Sequence, residues 1–342
     1  MFFDLNVPVP SRLPASKKGK EKQAPPTFSA AEIETLEAKV DLLVHLGYTV
    51  VAFTQTVHKR VDSKTHSNTL NVIVQRLKPR PGIVFLKRLT IILDEDSEKG
   101  FGLINANVSL FNGYDLIALV PTTHATLSLA CLTHTLPSPL TAHIISLPLT
   151  LPRLPYHLKH TLIRTALKNG AVFEINYVGA LGGDNDPLMV DADAAENGAS
   201  AKRNWWASAR EVVRVTKGKG LLVSSGVVSE TDFRAPRDVG NLITILGLPQ
   251  DAAHDASTRV PKSLVIRAET RKTYRAVLSE PTLVVPPAVS AQLESAMDVS
   301  DSPPTLPTES LKRPLDATAP PETTNSGDRS KKKKKKEKGT KN

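Results

Sequence analysis

The chain is 342 residues long and 40% hydrophobic but only 5% aromatic, so a large core would have to be filled by Val, Ile, Leu and Ala. Its 44 Lys and Arg outnumber 34 Asp and Glu, leaving a net charge of +10 that suits nucleic acid or an anionic membrane surface, although an exposed charged tail alone gives the same total. Cys131 is the single cysteine, which excludes an internal disulfide and a thiolate metal cluster and fits a reducing compartment.

The opening MFFDLNVPVP is too short for a signal peptide and carries Asp4 too early. No apolar run approaches the ~20 residues that cross a bilayer, so a soluble protein of the cytosol or nucleus, with no membrane partner, is expected. Short runs rich in Val, Ile, Leu and Phe predict strands at residues 2–7, 49–53, 83–93 (one long strand or two), 115–120, 142–146, 172–176 and 220–224. Their near-continuous apolar character is that of parallel strands covered on both faces. Residues 8–27, with five prolines and the basic group Lys17, Lys18 and Lys20, read as a surface insertion. Ser29 with Glu32 three residues on is a capping box, opening a helix over 30–46 that Gly47 ends. A helix over 156–169 ends at Gly170, with Lys168 at its negative end. Residues 182–200, rich in Gly, Asp, Asn and Ala, read as a second insertion, a loop. A helix follows over 203–217, and Pro236 opens another whose stripe Val239, Leu242, Ile243 and Leu246 is closed by Gly247 and Pro249. This alternation of strand and helix over residues 1–279 predicts an α/β fold, a parallel barrel or a doubly wound sheet. Residues 280–342 are rich in Pro, Ser, Thr and charge without periodicity; they cannot offset their ordering entropy and are expected to be disordered.

The helix over 203–217 is the most informative stretch. At ~100° per residue, Trp205, Ala209, Val212, Val213 and Thr216 share one face, and Arg203, Arg210, Arg214 and Lys217 form a stripe ~60° wide beside it. With Glu211 the one acid nearby, these cations call for a phosphate backbone, or else form a solvated face. Then come Lys217-Gly218-Lys219-Gly220, with glycine N–H groups between cations, Ser224 and Ser225 where the last strand ends, and Arg234 and Arg237 flanking Pro236 at a helix N-terminus. RNA, a small phosphorylated metabolite and plain turn chemistry all fit these residues.

Nine histidines invite a search for metal. A barrel phosphoesterase needs His-x-His at the end of its first strand; Asn6 and Pro8 stand there instead, and later histidines show no ligand spacing at strand ends. His157 and His160 share a helix face, but a lone pair reads as a surface feature. With no H-E-x-x-H, P-loop, G-x-S-x-G or G-x-G-x-x-G motif either, neither metal nor catalysis by this chain alone is expected. Cys131 sits in an apolar run and reads as packing; Trp205 reads as core and Trp206 as its margin, with base stacking as the alternative. The run Lys331, Lys332, Lys333, Lys334, Lys335 and Lys336 reads as a nuclear localisation signal or a non-specific RNA-binding tail.

Several segments resemble a known family when taken in order: FFDLNVP at 2–8, Leu46-Gly47-Tyr48, Arg88-Leu89-Thr90, Tyr114-Asp115-Leu116-Ile117-Ala118, Ile144-Ile145-Ser146 and Phe173-Glu174-Ile175. The strongest is TKGKGLLVSSG at 216–226, followed by RAPRDVGNL at 234–242 and Leu246-Gly247-Leu248. Over roughly residues 1–275 the chain resembles the thirty-kilodalton-class barrel subunit of ribonuclease P and RNase MRP, found in eukaryotes and archaea. The resemblance implies a TIM-like barrel of roughly eight strands, related to metal-dependent phosphoesterase barrels but without their ligands. It implies a particle in which RNA cleaves precursor tRNA with magnesium ions, while the protein, itself without a cofactor, binds that RNA. Precursor tRNA is then met indirectly, and the other protein partners include a small RNA-recognition-like subunit. The implied outcomes are removal of the 5′ leader and processing of ribosomal RNA precursors, in the nucleus and nucleolus. Carried onto this sequence, Lys217, Lys219, Ser224, Ser225, Arg234 and Arg237 are the candidate RNA contacts, with Arg203, Arg210 and Arg214 second. A metal-dependent phosphoesterase of the same barrel class and a general RNA-binding scaffold are the alternatives.

Overall fold

The structure, a computed structural model, describes residues 1–10, 28–64, 66–182 and 198–273. All seven predicted strands form: β1 (Phe3–Pro8), β2 (Val50–His58), β3 (Val84–Leu93), β4 (Leu116–Pro121), β5 (Ile144–Ser146), β6 (Val172–Asn176) and β7 (Leu221–Ser224). Each pairs in parallel with the next in chain order, which requires crossovers, and the helices supply them. These are α1 (Ala30–His45), α2 (Thr69–Arg76), α3 (Val108–Phe111), α4 (His124–Leu132), α5 (His160–Lys168), α6 (Val178–Leu181) and α7 (Ala199–Thr216). After β7 come α8 (Pro236–Thr244), α9 (Gln250–Ser257) and α10 (Arg259–Thr270).

The sheet curls until its edges meet. Residues just past β7 join it to β1: the Gly226 N–H donates to Asn6 O at 3.0 Å and Ser225 Oγ donates to the same oxygen at 2.9 Å. The result is a nearly closed, TIM-like barrel of seven strands, one fewer than the resemblance implies. A register shift between Asp4 and Val7 gives β1 an extra residue, the device by which a strand re-aims its side chains.

Alternation along the strands divides the core. Val51, Phe53, Leu89, Ile117, Phe173 and Val223 face outward and bury against the helices, among them Leu36 and Leu43 of α1, Ile163 of α5 and Trp205 of α7. Phe3, Val50, Leu86, Leu116, Ile144 and Val172 face inward at the N-terminal end of the barrel, where Leu264 and Ala268 of α10 pack as its plug. A buried aliphatic side chain of this kind contributes ~1.5–3 kcal/mol.

The local signals account for several element ends. Ser29 and Glu32 form the capping box, with Glu32 Oε2 2.7 Å from the Ser29 N–H. Residues 83–93 give one long strand, not two. Pro8 closes β1, and the Val9 N–H still donates to Thr54 O at 3.1 Å, so the barrel extends two residues into the expected insertion. The helix expected over 156–169 begins only at His160; Pro152 and Pro155 keep the approach non-helical, and Tyr156 is buried from a loop. His157 therefore lies off the helix that carries His160. Helix α7 begins at Ala199, inside the expected loop, and hands over at Lys217, which adopts left-handed φ 55°. Most of both insertions, and every residue from 274 on including Lys331 to Lys336, lie outside the described residues.

Candidate nucleic-acid interface

The C-terminal end of a barrel interior is where enzymes of this architecture place their chemistry. Here that space is held by a buried ion pair. Arg88 of β3 and Glu174 of β6, both fully buried, meet through two parallel bonds of 2.5 and 2.6 Å. Arg88 also donates to Leu5 O at 2.8 Å and Thr90 Oγ1 at 3.0 Å. Burial alone would raise the Glu174 carboxyl, but the Arg88 guanidinium and the hydroxyls of Ser224 and Ser146 outweigh it and hold the group below its usual value. Around the pair, Thr54 Oγ1 donates to Asn6 Oδ1 at 2.9 Å and Asn6 Nδ2 to Asn176 Oδ1 at 3.1 Å. Asp4 accepts the Ser225 and Asn6 N–H groups on Oδ1, while its Oδ2 has no partner; burial raises this carboxyl.

A divalent cation does not fit this set. Asn6, Thr54, Asn176 and Ser224 are neutral, Glu174 is already neutralised, and Arg88 puts a positive charge at the centre. No group of three or more His, Cys, Asp or Glu side chains suited to a metal occurs among the described residues. The Cys131 thiol is buried, which pushes it up to about 12, far from a reactive thiolate at neutral pH.

The same network corrects part of the expected RNA site. Ser224 Oγ donates to Glu174 Oε1 at 2.6 Å and Ser225 Oγ is spent on Asn6 O; both residues are buried, so their hydroxyls hold the barrel together and face no partner. The remaining candidates do not form one cluster either. Lys217 and Lys219 precede β7 at the N-terminal end of the barrel, whereas Arg234 and Arg237 follow it at the C-terminal end. Arg234 is fixed there by bonds from its guanidinium to Thr231 O at 2.7 Å and Phe233 O at 2.9 Å. All four are exposed.

Helix α7 behaves as its periodicity dictates. Trp205, Ala209, Val212, Val213 and Thr216 are buried, while Arg203, Arg210, Arg214 and Lys217 are exposed. Trp205 Nε1 donates to Asn176 O at 2.7 Å and stands edge-on to Trp206, so neither role as core nor as margin is disturbed. Glu211 grips Arg214 at 2.6 and 2.8 Å, which leaves Arg203, Arg210 and Lys217 as the stripe's cations without an ion pair among the described residues.

A broad groove lies at the N-terminal end, between α5, the end of α7 and α10. Its volume is about 690 Å³, and it is lined by Arg164, Lys168, Lys217, Lys219, Arg259 and Arg267, with His160 beside them and no carboxylate in its wall. A side cleft of about 320 Å³ shares Lys217 and adds Arg210 and Arg214. In the sequence His160 reads as a surface histidine and Lys168 as a helix-end charge, and Arg164, Arg259 and Arg267 are not singled out. The spacing of His160, Arg164 and Lys168 by four was the available signal, since such residues share a helix face; α10 carried none that tied it to the other two helices.

Comparison with known proteins now decides the family. The sequence model described as RNase P subunit p30 matches residues 1–273. The chain belongs to that family. Among curated members, it is 29% identical over 280 residues to the probable ribonuclease P protein subunit 3 of Schizosaccharomyces pombe, covering 82% of this chain and 99% of that one. It is 27% identical to the ribonuclease P protein subunit p30 of Mus musculus (73% of this chain, 87% of that one). It is also 27% identical to the ribonuclease P/MRP protein subunit RPP1 of Saccharomyces cerevisiae (79% and 82%). The p30 match spans the whole barrel, including the Arg88–Glu174 pair and every wall of the groove.

Proposed function

We propose that this chain is a non-catalytic protein subunit of ribonuclease P, and of RNase MRP, that binds the catalytic RNA and supports removal of the 5′ leader from precursor tRNA and processing of ribosomal RNA. The observation that carries the reading is the p30-family match over residues 1–273. The RPP1 relative, whose name joins both particles, supports the extension to RNase MRP. A barrel whose catalytic end is filled by an arginine–glutamate pair, with exposed cations outside, supports an RNA-holding rather than a hydrolytic role. Magnesium then acts with the RNA, and precursor tRNA is engaged through it. Other subunits, including a small RNA-recognition-like protein, complete the particle. The polylysine run from Lys331 to Lys336 serves import into the nucleus and nucleolus. No helix among the described residues is long and apolar enough to cross a membrane.

The test is affinity purification of the tagged chain followed by RNA sequencing. One abundant structured non-coding RNA, accompanied by precursor tRNA, is the expected recovery; a broad sample of unrelated RNAs would instead favour a general scaffold. Changing Lys217 and Lys219 to Glu is expected to lower that recovery, since each phosphate contact adds a salt-sensitive increment to affinity.

A further inference from the structure

We infer that the groove at the N-terminal mouth of the barrel grips the sugar–phosphate backbone of folded RNA without reading base identity. The inference rests on the RNA-binding reading above and adds where the grip lies and what it recognises. Six formal cations converge on a concave wall that holds no carboxylate. Of these six, only Arg259 has an ion pair among the described residues, a loose one of 3.8 Å to half-buried Asp255, while half-buried Arg267 donates to Gly170 O and Ser263 O. The bland account is that Lys168 and Lys217 cap the negative ends of α5 and α7. Two helix ends offer only about one negative charge between them, far short of six. Lys217 also holds a left-handed φ of 55°, a position that glycine or asparagine fills at lower cost, so a cation is kept there against backbone preference.

The wall contains no Phe, Tyr or Trp, the large rings that build a base-stacking platform, and its recognition rests on charge. A small phosphorylated ligand would want an enclosed pocket, whereas this groove is open to solvent. Here the positive track instead runs on through Lys217 into the side cleft and along α7 past Arg210, as a polymer requires.

The experiment measures binding of the full chain to an RNA hairpin of arbitrary sequence by fluorescence anisotropy across salt concentrations. The groove variant carries Arg164→Glu, Lys168→Glu and Arg259→Glu, all at exposed positions. The control carries the same charge change at exposed Arg60, Lys64 and Arg153, in loops that follow β2 and β5 at the opposite end. Matching thermal midpoints establish that both variants fold. The groove variant is expected to bind at least about tenfold more weakly, with a log–log salt slope shallower by about 0.9 for each lost contact. The control is expected to stay close to wild type, and scrambling the hairpin sequence to leave wild-type affinity unchanged. Equal binding by groove variant and control overturns the inference and leaves the proposed function standing, as does a strong dependence on hairpin sequence. Loss of a protein subunit from the purified particle with RNA binding intact would make the groove a protein-docking surface and overturn it too. If the wild-type chain neither binds the hairpin nor recovers a structured RNA from cells, the proposed function falls and the groove with it.

Discussion

Arg88 and Glu174 lie 86 positions apart in sequence and occupy the place where a barrel enzyme would do its chemistry. Removing two charges from water is expensive, and only the bidentate geometry with the surrounding hydroxyls and carbonyl repays it. The consequence is asymmetric. Glu174→Gln leaves the Arg88 cation uncompensated and is expected to cost ~3–5 kcal/mol in urea unfolding. The double change Arg88→Met with Glu174→Leu is expected to recover most of that loss, because a well-packed apolar pair avoids the desolvation cost. A double variant no more stable than Glu174→Gln alone would mean that the polar network, not the charge pairing, is what the core requires. The pH dependence has a definite sign. Glu174 titrates below its unfolded value of ~4.3, so its contribution is present above that value and is lost as pH falls through the lower folded one. Wild type is therefore expected to lose stability in acid more steeply than Glu174→Gln, measured as unfolding free energy against pH.

Among the elements, the turn Lys217-Gly218-Lys219-Gly220 forms one wall of the groove. Gly220 sits at φ 59°, and a Cβ there would overlap Leu167 Cδ2 of α5. Gly240, inside α8, has nothing within 4 Å of where a Cβ would go. Gly220→Ala is thus expected to destabilise by ~1–3 kcal/mol through strain and overpacking, and Gly240→Ala to stabilise by ~0.5–1 kcal/mol through helix propensity. Opposite signs in denaturant titrations check the pair. The elements themselves were largely legible: seven apolar runs gave seven strands, because strands buried on both faces write their burial directly into sequence. The start of α5 was not, because Tyr156 and Leu158 extend the apolar pattern although the chain there is not yet helical. The start of α7 was missed because Ala199 to Lys202 are ordinary helix formers that read as the end of a polar loop. Charged Arg88 and Glu174 within apolar strands announced that each needed a partner, but nothing local said which. The groove was half legible for the same reason: Lys217 and Lys219 are contiguous in the chain, whereas Arg164 and Arg259 reach them only through tertiary packing.

Over the whole molecule, the strand β7 separates two basic regions that look continuous in sequence. Lys217 and Lys219 stand before it, Arg234 and Arg237 after it, at opposite mouths of the barrel with the Arg88–Glu174 network between. Among the described residues no hydrogen bond or ion pair links one group to the other, so each can lose its charge without disturbing its counterpart's geometry. If both touch one folded RNA, they do so as separate phosphate contacts, and separate contacts add in free energy. Changing Lys217 and Lys219 to Gln, Arg234 and Arg237 to Gln, and all four together, forms a cycle that tests this on RNA affinity. The coupling is expected within ~0.3–0.5 kcal/mol of zero, with the salt slope falling by equal steps. A coupling well above that would mean that one rigid RNA element bridges both mouths or that the barrel shifts when either is bound. No effect from the Arg234 and Arg237 changes, beside a clear loss from Lys217 and Lys219, would confine the interface to the N-terminal end.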